Sequence, residues 1–135
     1  MDNKKLICKA IEAMKYSYSP YSGFAVGAAL LAKSGKVYTG CNIENAAFGP
    51  TVCAERTAFF KAVSEGEREF EKIAVAGGKN GKVTDYAFLC GVCRQVMAEF
   101  CKKDFEIITA KSGKDYIIRT LGDLLPENFG KNNLE

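Results

Sequence analysis

Phe24-Ala25-Val26-Gly27-Ala28-Ala29-Leu30-Leu31-Ala32 contains no charged residue and is apolar at both odd and even positions. A strand with one face in water alternates apolar and polar side chains, whereas a strand covered on both faces does not. This run therefore predicts a strand buried between two layers. Ser34-Gly35 makes a short turn after it, and Val37–Asn42 returns as the hairpin partner. Upstream, Leu6, Ile7, Ala10, Ile11 and Met14 recur at helical spacing until Ser19-Pro20 stops the helix. Downstream, after the Gly49-Pro50 loop, Ala58, Phe59, Ala62 and Val63 mark a second helix. Ile73–Ala76 reads as a short buried strand and Gly77–Asp85 as a polar loop. Val92, Val96, Met97, Phe100 and Cys101 give a third helix, strands follow at Phe105–Ala110 and Tyr116–Arg119, and Leu121–Leu125 makes a last helical turn. Strands separated by helices of this length imply an α/β layered sheet. No repeat, low-complexity tract or linker interrupts residues 1–135, so one domain is expected.

The composition narrows the chemistry. Apolar residues make up 47% and charged residues 26%, the balance of a globular chain. The 19 basic and 16 acidic residues give +3, without the clustered stripe of a nucleic-acid binder. The N-terminal segment is broken by charges and reads as an amphipathic helix rather than a signal peptide. The longest uncharged stretch, Tyr16–Ala32, contains Pro20, Gly23 and Gly27 and is too short to span a membrane. A cytoplasmic protein with reduced thiols is the expectation. The chain has no histidine, no tryptophan and six cysteines. Imidazole-dependent triads are thereby excluded, and any metal site must use sulfur or carboxylate.

Two segments pair cysteines with helix starts. Thr51-Val52-Cys53-Ala54-Glu55-Arg56 opens the second helix, with Thr51 as expected N-cap. Cys90-Gly91-Val92-Cys93-Arg94 opens the third in the same way. A helix N-terminus favours thiolate, and two cysteines three apart can face one ion. Cys53, Cys90 and Cys93 supply three sulfurs, one short of a closed structural zinc site. Three ligands and an open position is the arrangement of a catalytic zinc. Glu55 lies about 200° around an ideal helix from Cys53, so both can face one site only at the very start of the helix. Three thiolates would leave a zinc site with net charge −1, which Arg56 and Arg94 can offset. Two bland alternatives stand beside this one. Cys90-x-x-Cys93 alone fits a thioredoxin-like redox pair, and Cys41 could complete a four-sulfur structural zinc module. Gly77–Val83 faintly matches a phosphate loop but lacks its glycine spacing and its Ser/Thr. It is expected to be a surface turn.

The segments Cys53-Ala54-Glu55-Arg56 and Cys90-Gly91-Val92-Cys93-Arg94-Gln95 resemble the homotetrameric zinc-dependent cytidine deaminases. Tyr18–Ala29 and Gly40–Ala46 extend the resemblance, which runs from about residue 6 to Phe129. It implies a three-layer α-β-α fold with a mixed five-stranded sheet, and one Zn²⁺ per subunit on Cys53, Cys90 and Cys93. It also implies hydrolysis of cytidine and deoxycytidine to uridine and deoxyuridine with release of ammonia, in pyrimidine salvage. Glu55 would shuttle protons while hydroxide held by the zinc attacks C4. By the same resemblance Phe24 packs on the pyrimidine, Ala54 holds the base through its N–H, and Asn42 and Glu44 bind the ribose 3′-OH. Phe129 would reach a neighbouring subunit's site, making the homotetramer a requirement. A carboxylate at the 3′ position disfavours a polynucleotide, whose 3′ oxygen is phosphorylated, so the partner is a free nucleoside. Leu89 and Phe48 depart from the family's usual proline and tyrosine. Blasticidin-type deaminases share the zinc segments, but Asn42-Ile43-Glu44-Asn45 favours plain ribose recognition.

Overall fold

In the computed structural model, which describes residues 1–135, the run from Phe24 is the second strand from one edge of a five-stranded sheet. Strand β1 (Phe24–Ala32) pairs antiparallel with β2 (Val37–Cys41) on one side and with β3 (Phe70–Lys79) on the other. Strand β3 pairs parallel with β4 (Glu106–Ala110), which pairs antiparallel with β5 (Tyr116–Thr120). The sheet is therefore mixed, in the order β2-β1-β3-β4-β5. The parallel pair requires a crossover, and helix α3 (Gly91–Phe100) provides it.

Helix α1 (Asn3–Ala13) starts where the Asp2 side chain accepts from the Lys5 N–H at 2.8 Å. It lays Leu6, Ile7 and Ala10 on Ala29, Leu31, Ala74 and Ile108. The opposite sheet face presents Ala28, Leu30, Ile73, Val75 and Ile107 to α2 (Ala54–Ser64) and α3. Phe59 of α2 is fully buried there, 5.0 Å from the Phe70 ring and 6.1 Å from that of Phe105. Both faces of β1 are covered, and the expected three layers result. A one-turn helix α4 (Leu121–Leu124), closed by a capping box between Thr120 and Asp123, follows β5.

One boundary differs from the sequence reading in a way that matters for the site. Strand β3 runs to Lys79, so Gly77 and Gly78 are strand residues paired with Val26 and Ala25. A Cβ on Gly78 would lie 1.8 Å from the Lys82 carbonyl oxygen; glycine here admits a close backbone turn rather than breaking a strand. The phosphate-loop resemblance dissolves, since Gly77, Gly78 and Lys79 of that motif are sheet.

Candidate functional site

Helices α2 and α3 begin at the same place. The N-cap of α2 is Cys53 itself, in extended conformation (φ −77°, ψ 157°), and not Thr51 as the sequence suggested. Thr51 instead accepts from the Asn45 N–H at 3.1 Å and closes the preceding loop. The N-cap of α3 is Cys90, whose sulfur accepts from the Cys93 N–H at 3.4 Å. The three sulfurs of Cys53, Cys90 and Cys93 lie within 4.8 Å of one another. Cys53 Sγ is 3.5 Å from Cys90 Sγ, and Cys90 Sγ is 3.3 Å from Cys93 Sγ. Tetrahedral zinc with bonds near 2.3 Å sets its sulfurs roughly 3.8 Å apart, so this donor set fits the ion with little adjustment. Cys41 is not part of the group: it sits on β2, and burial raises its thiol. The four-sulfur alternative therefore fails, and Cys53 takes the Cys90–Cys93 pair out of the redox class.

The electrostatics of the cluster suit a cation. Hydrogen bonds from the Cys93 thiol, then from Arg56 and Cys90, bring Cys53 down to about 5. Cys93 is pushed the other way, chiefly because its proton is held by Cys53. One thiolate forms easily and the next is opposed by like charge, a conflict that a divalent ion removes. Arg56 Nη2 lies 3.5 Å from Cys53 Sγ, and its Nε is buried without a partner. Glu55, in the first turn of α2, is only 4% exposed. Burial, reinforced by the charge of Cys53, raises its carboxyl to about 7. Such a group can both take and give a proton near neutrality. Because Cys53 is the cap and not an interior helical residue, the angular objection to Cys53 and Glu55 sharing a site disappears.

These groups open into a cleft of about 410 Å³ lined by Phe24, Asn42, Glu44, Cys53, Ala54 and Glu55. Backbone bonds between Ile43 and Val52, 3.0 Å in both directions, bring the Asn42–Glu44 run beside the cap of α2. Asn42 is largely committed to the fold: its Oδ1 accepts from the Val26 N–H at 2.9 Å and from Ser17, and its Nδ2 donates to the Phe24 carbonyl at 2.8 Å. One amide N–H is left for a ligand. Glu44 accepts from the N–H groups of Tyr21 (3.0 Å) and Ser22 (3.1 Å) and from the Ser22 hydroxyl. The Ser22 hydroxyl bond is the main reason its carboxyl stays below the usual range. Phe24 is 40% exposed at the rim. Phe129 is 61% exposed and does not line its own chain's cleft; its carbonyl accepts from Gln95 Nε2 at 3.0 Å. Tyr86 and Phe88 also line the cleft, and the sequence reading passed over both. The available signal is the pair of aromatic residues, Tyr86 and Phe88, immediately ahead of Cys90. A larger cleft of 680 Å³ beside the end of α3 contains none of these groups.

Residues 1–109 match the model of the cytidine and deoxycytidylate deaminase zinc-binding region. A cytidine deaminase of Sporosarcina psychrophila is 48% identical over 134 residues, 99% of this chain and 96% of the relative. One from Halalkalibacterium halodurans is 49% identical over 129 residues, 96% of this chain and 95% of the relative. The crystal structure of cytidine deaminase from Burkholderia pseudomallei superposes with a TM-score of 0.88 at 44% identity, covering 96% of this chain and all of that one. With three sulfurs and a buried glutamate where two helices start, the chain belongs to the cytidine and deoxycytidylate deaminase zinc-binding family.

Proposed function

We propose that this chain hydrolyses cytidine and deoxycytidine to uridine and deoxyuridine, releasing ammonia, as a cytoplasmic enzyme of pyrimidine salvage. The observation that carries the reading is the meeting of a three-sulfur cluster with a buried, easily protonated Glu55 at the floor of an apolar cleft. One zinc ion per subunit on Cys53, Cys90 and Cys93 would supply the Lewis acidity that makes water nucleophilic near neutral pH. A Glu55 carboxylate oxygen takes the water's proton and passes it to N3 of cytosine. The new C4–O bond forms, and Glu55 then moves a proton to the exocyclic nitrogen, so that the C4–N bond breaks and ammonia leaves. The Ala54 N–H and the carbonyl near Cys90 hold the base, and Phe24 packs on it. Arg56 returns positive charge to the sulfur cluster.

The remaining lone pairs of Glu44 and the free N–H of Asn42 receive the ribose 3′-OH. Because Glu44 stays anionic, a 3′-phosphate would meet like charge, which favours a nucleoside over a polynucleotide. Phe129 belongs to the site of a neighbouring copy in a homotetramer. The test is Glu55→Gln, assayed for zinc and for ammonia release from cytidine, CMP, cytosine and single-stranded DNA. The variant is expected to retain one zinc per chain while turnover of cytidine falls roughly 10²–10⁴-fold. A silent Glu55→Gln, or CMP turned over as well as cytidine, would refute the proposal.

A further inference from the structure

Residues 86–90 lie outside regular secondary structure, between the end of β3 and α3. Ala87 and Leu89 are buried, at 8% and 4% exposure, whereas Tyr86, Phe88 and Cys90 are not. Tyr86, Ala87, Phe88 and Cys90 all line the cleft, and of the first three only the two aromatic residues are exposed or half-buried. Phe88 is 68% exposed, an unfavourable place for a phenyl ring that nothing covers. Its ring packs on that of Tyr86, with centroids 6.2 Å apart and planes at 42°. Tyr86 is in turn clamped by the turn joining β4 and β5. Its Oη donates to Asp115 Oδ1, and Lys111 Nζ lies 4.7 Å from its ring centroid. Lys111 N–H donates to the Asp115 carbonyl at 2.9 Å, so both clamping residues belong to one closed turn. A continuous set of contacts thus runs from that turn to a ring beside the sulfur cluster.

We infer, resting on the deaminase reading above, that Phe88 is a specificity-determining residue whose ring forms an apolar wall for the bound base, with Tyr86 as its positioning residue. A planar heteroaromatic base covers the ring, which otherwise faces water, and an offset aromatic contact of this kind contributes binding without entering the chemistry. The clamp on Tyr86 fixes the wall before the ligand arrives, so less order is lost on binding.

The test uses the zinc-loaded protein and two ligands, cytidine as substrate and uridine as product. Phe88→Ala is expected to raise KM for cytidine and the dissociation constant of uridine together, by roughly five- to tenfold, with a much smaller change in kcat. Phe88→Leu should fall between the two. Tyr86→Phe and Asp115→Ala should each raise KM roughly two- to threefold, and the double variant no further, because both remove the Tyr86–Asp115 hydrogen bond. Zinc content and elution volume in size exclusion should match the parent throughout. Unchanged KM and uridine affinity in Phe88→Ala would overturn the inference. So would a rise in KM seen only with a changed oligomeric state, which would assign Phe88 to a contact between copies. Uridine titration of the parent keeps the two proposals apart. A parent that binds uridine but releases no ammonia refutes the reaction and leaves the wall standing if Phe88→Ala weakens uridine. A parent that binds neither ligand refutes both.

Discussion

Cys53 and Cys101 have the same side chain and are driven in opposite directions by their surroundings. Cys53 caps a helix beside donors that hold its thiol near 5. Cys101, which ends α3 and packs against the Phe59 core, meets only burial, and its thiol rises from 9.0 to about 12. What sets Cys101 apart from the sulfur cluster is that it has no charged or sulfur neighbour: its shift comes from burial alone, whereas Cys53 and Cys93 are shifted chiefly by each other. It also has a consequence for stability. The unfolded chain loses the Cys101 proton near 9.0, whereas the folded chain keeps it to about 12. Stability from this group is therefore complete below pH 9 and is lost progressively as pH rises toward 12. At pH 10.5 the loss amounts to roughly 2 kcal/mol. Denaturant unfolding of the parent and of Cys101→Ala at pH 8 and pH 10.5 checks it. The variant should start less stable because of the lost packing, and the gap should close by about 2 kcal/mol at the higher pH. Parallel pH dependences would show that burial of this thiol has no such effect.

At the level of elements, the site depends on where α2 is allowed to start. A Cβ on Gly40 of β2 would lie 2.4 Å from the Ala54 carbonyl oxygen and 2.6 Å from the Ala58 N–H nitrogen. The first turn of α2 thus rests directly on the backbone of β2, which fixes Cys53 against Cys90. Gly40→Ala must push that turn outward, and overpacking of this kind typically costs about 1–3 kcal/mol. The expected outcome is a lower melting temperature together with a weaker hold on zinc, measured by competition with a chromophoric chelator. Full zinc affinity at an unchanged melting temperature would mean that α2 is not seated by this contact. The same element shows where sequence reading reached its limit. Cys53, Glu55 and the paired helix starts were legible because residue type and spacing carry the chemistry. The cap was misplaced by two residues because Thr51 is the better intrinsic N-cap, and only the tertiary bridge between Ile43 and Val52 diverts its hydroxyl to Asn45. Strand β3 was cut short for a similar reason: Gly77 and Gly78 look like a loop until the pairing with β1 is seen.

For the whole molecule, one chain exposes several large aromatic rings, which accords with the homotetramer proposed above. Phe48 is 87% exposed, Phe88 68% and Phe129 61%. Exposed apolar rings of this size commonly mark surfaces that a ligand or another chain covers. Phe129 does not line the cleft of its own chain, as expected under the proposal that it serves a neighbouring copy. If each site takes Glu55 from one copy and Phe129 from a neighbour, two inactive variants should repair each other. Glu55→Gln and Phe129→Ala, unfolded together in equal amounts and refolded with zinc, place intact Glu55 and intact Phe129 at the same site in about one quarter of random pairings. Activity near one quarter of the parent is then expected from a mixture whose components, refolded separately, are both much weaker. Sites confined to one chain would give only the average of the two, and a Phe129→Ala protein as active as the parent would remove that residue from the site. Complementation with an elution volume of four chains would locate the working unit in the assembly, since no single chain in the mixture carries both groups.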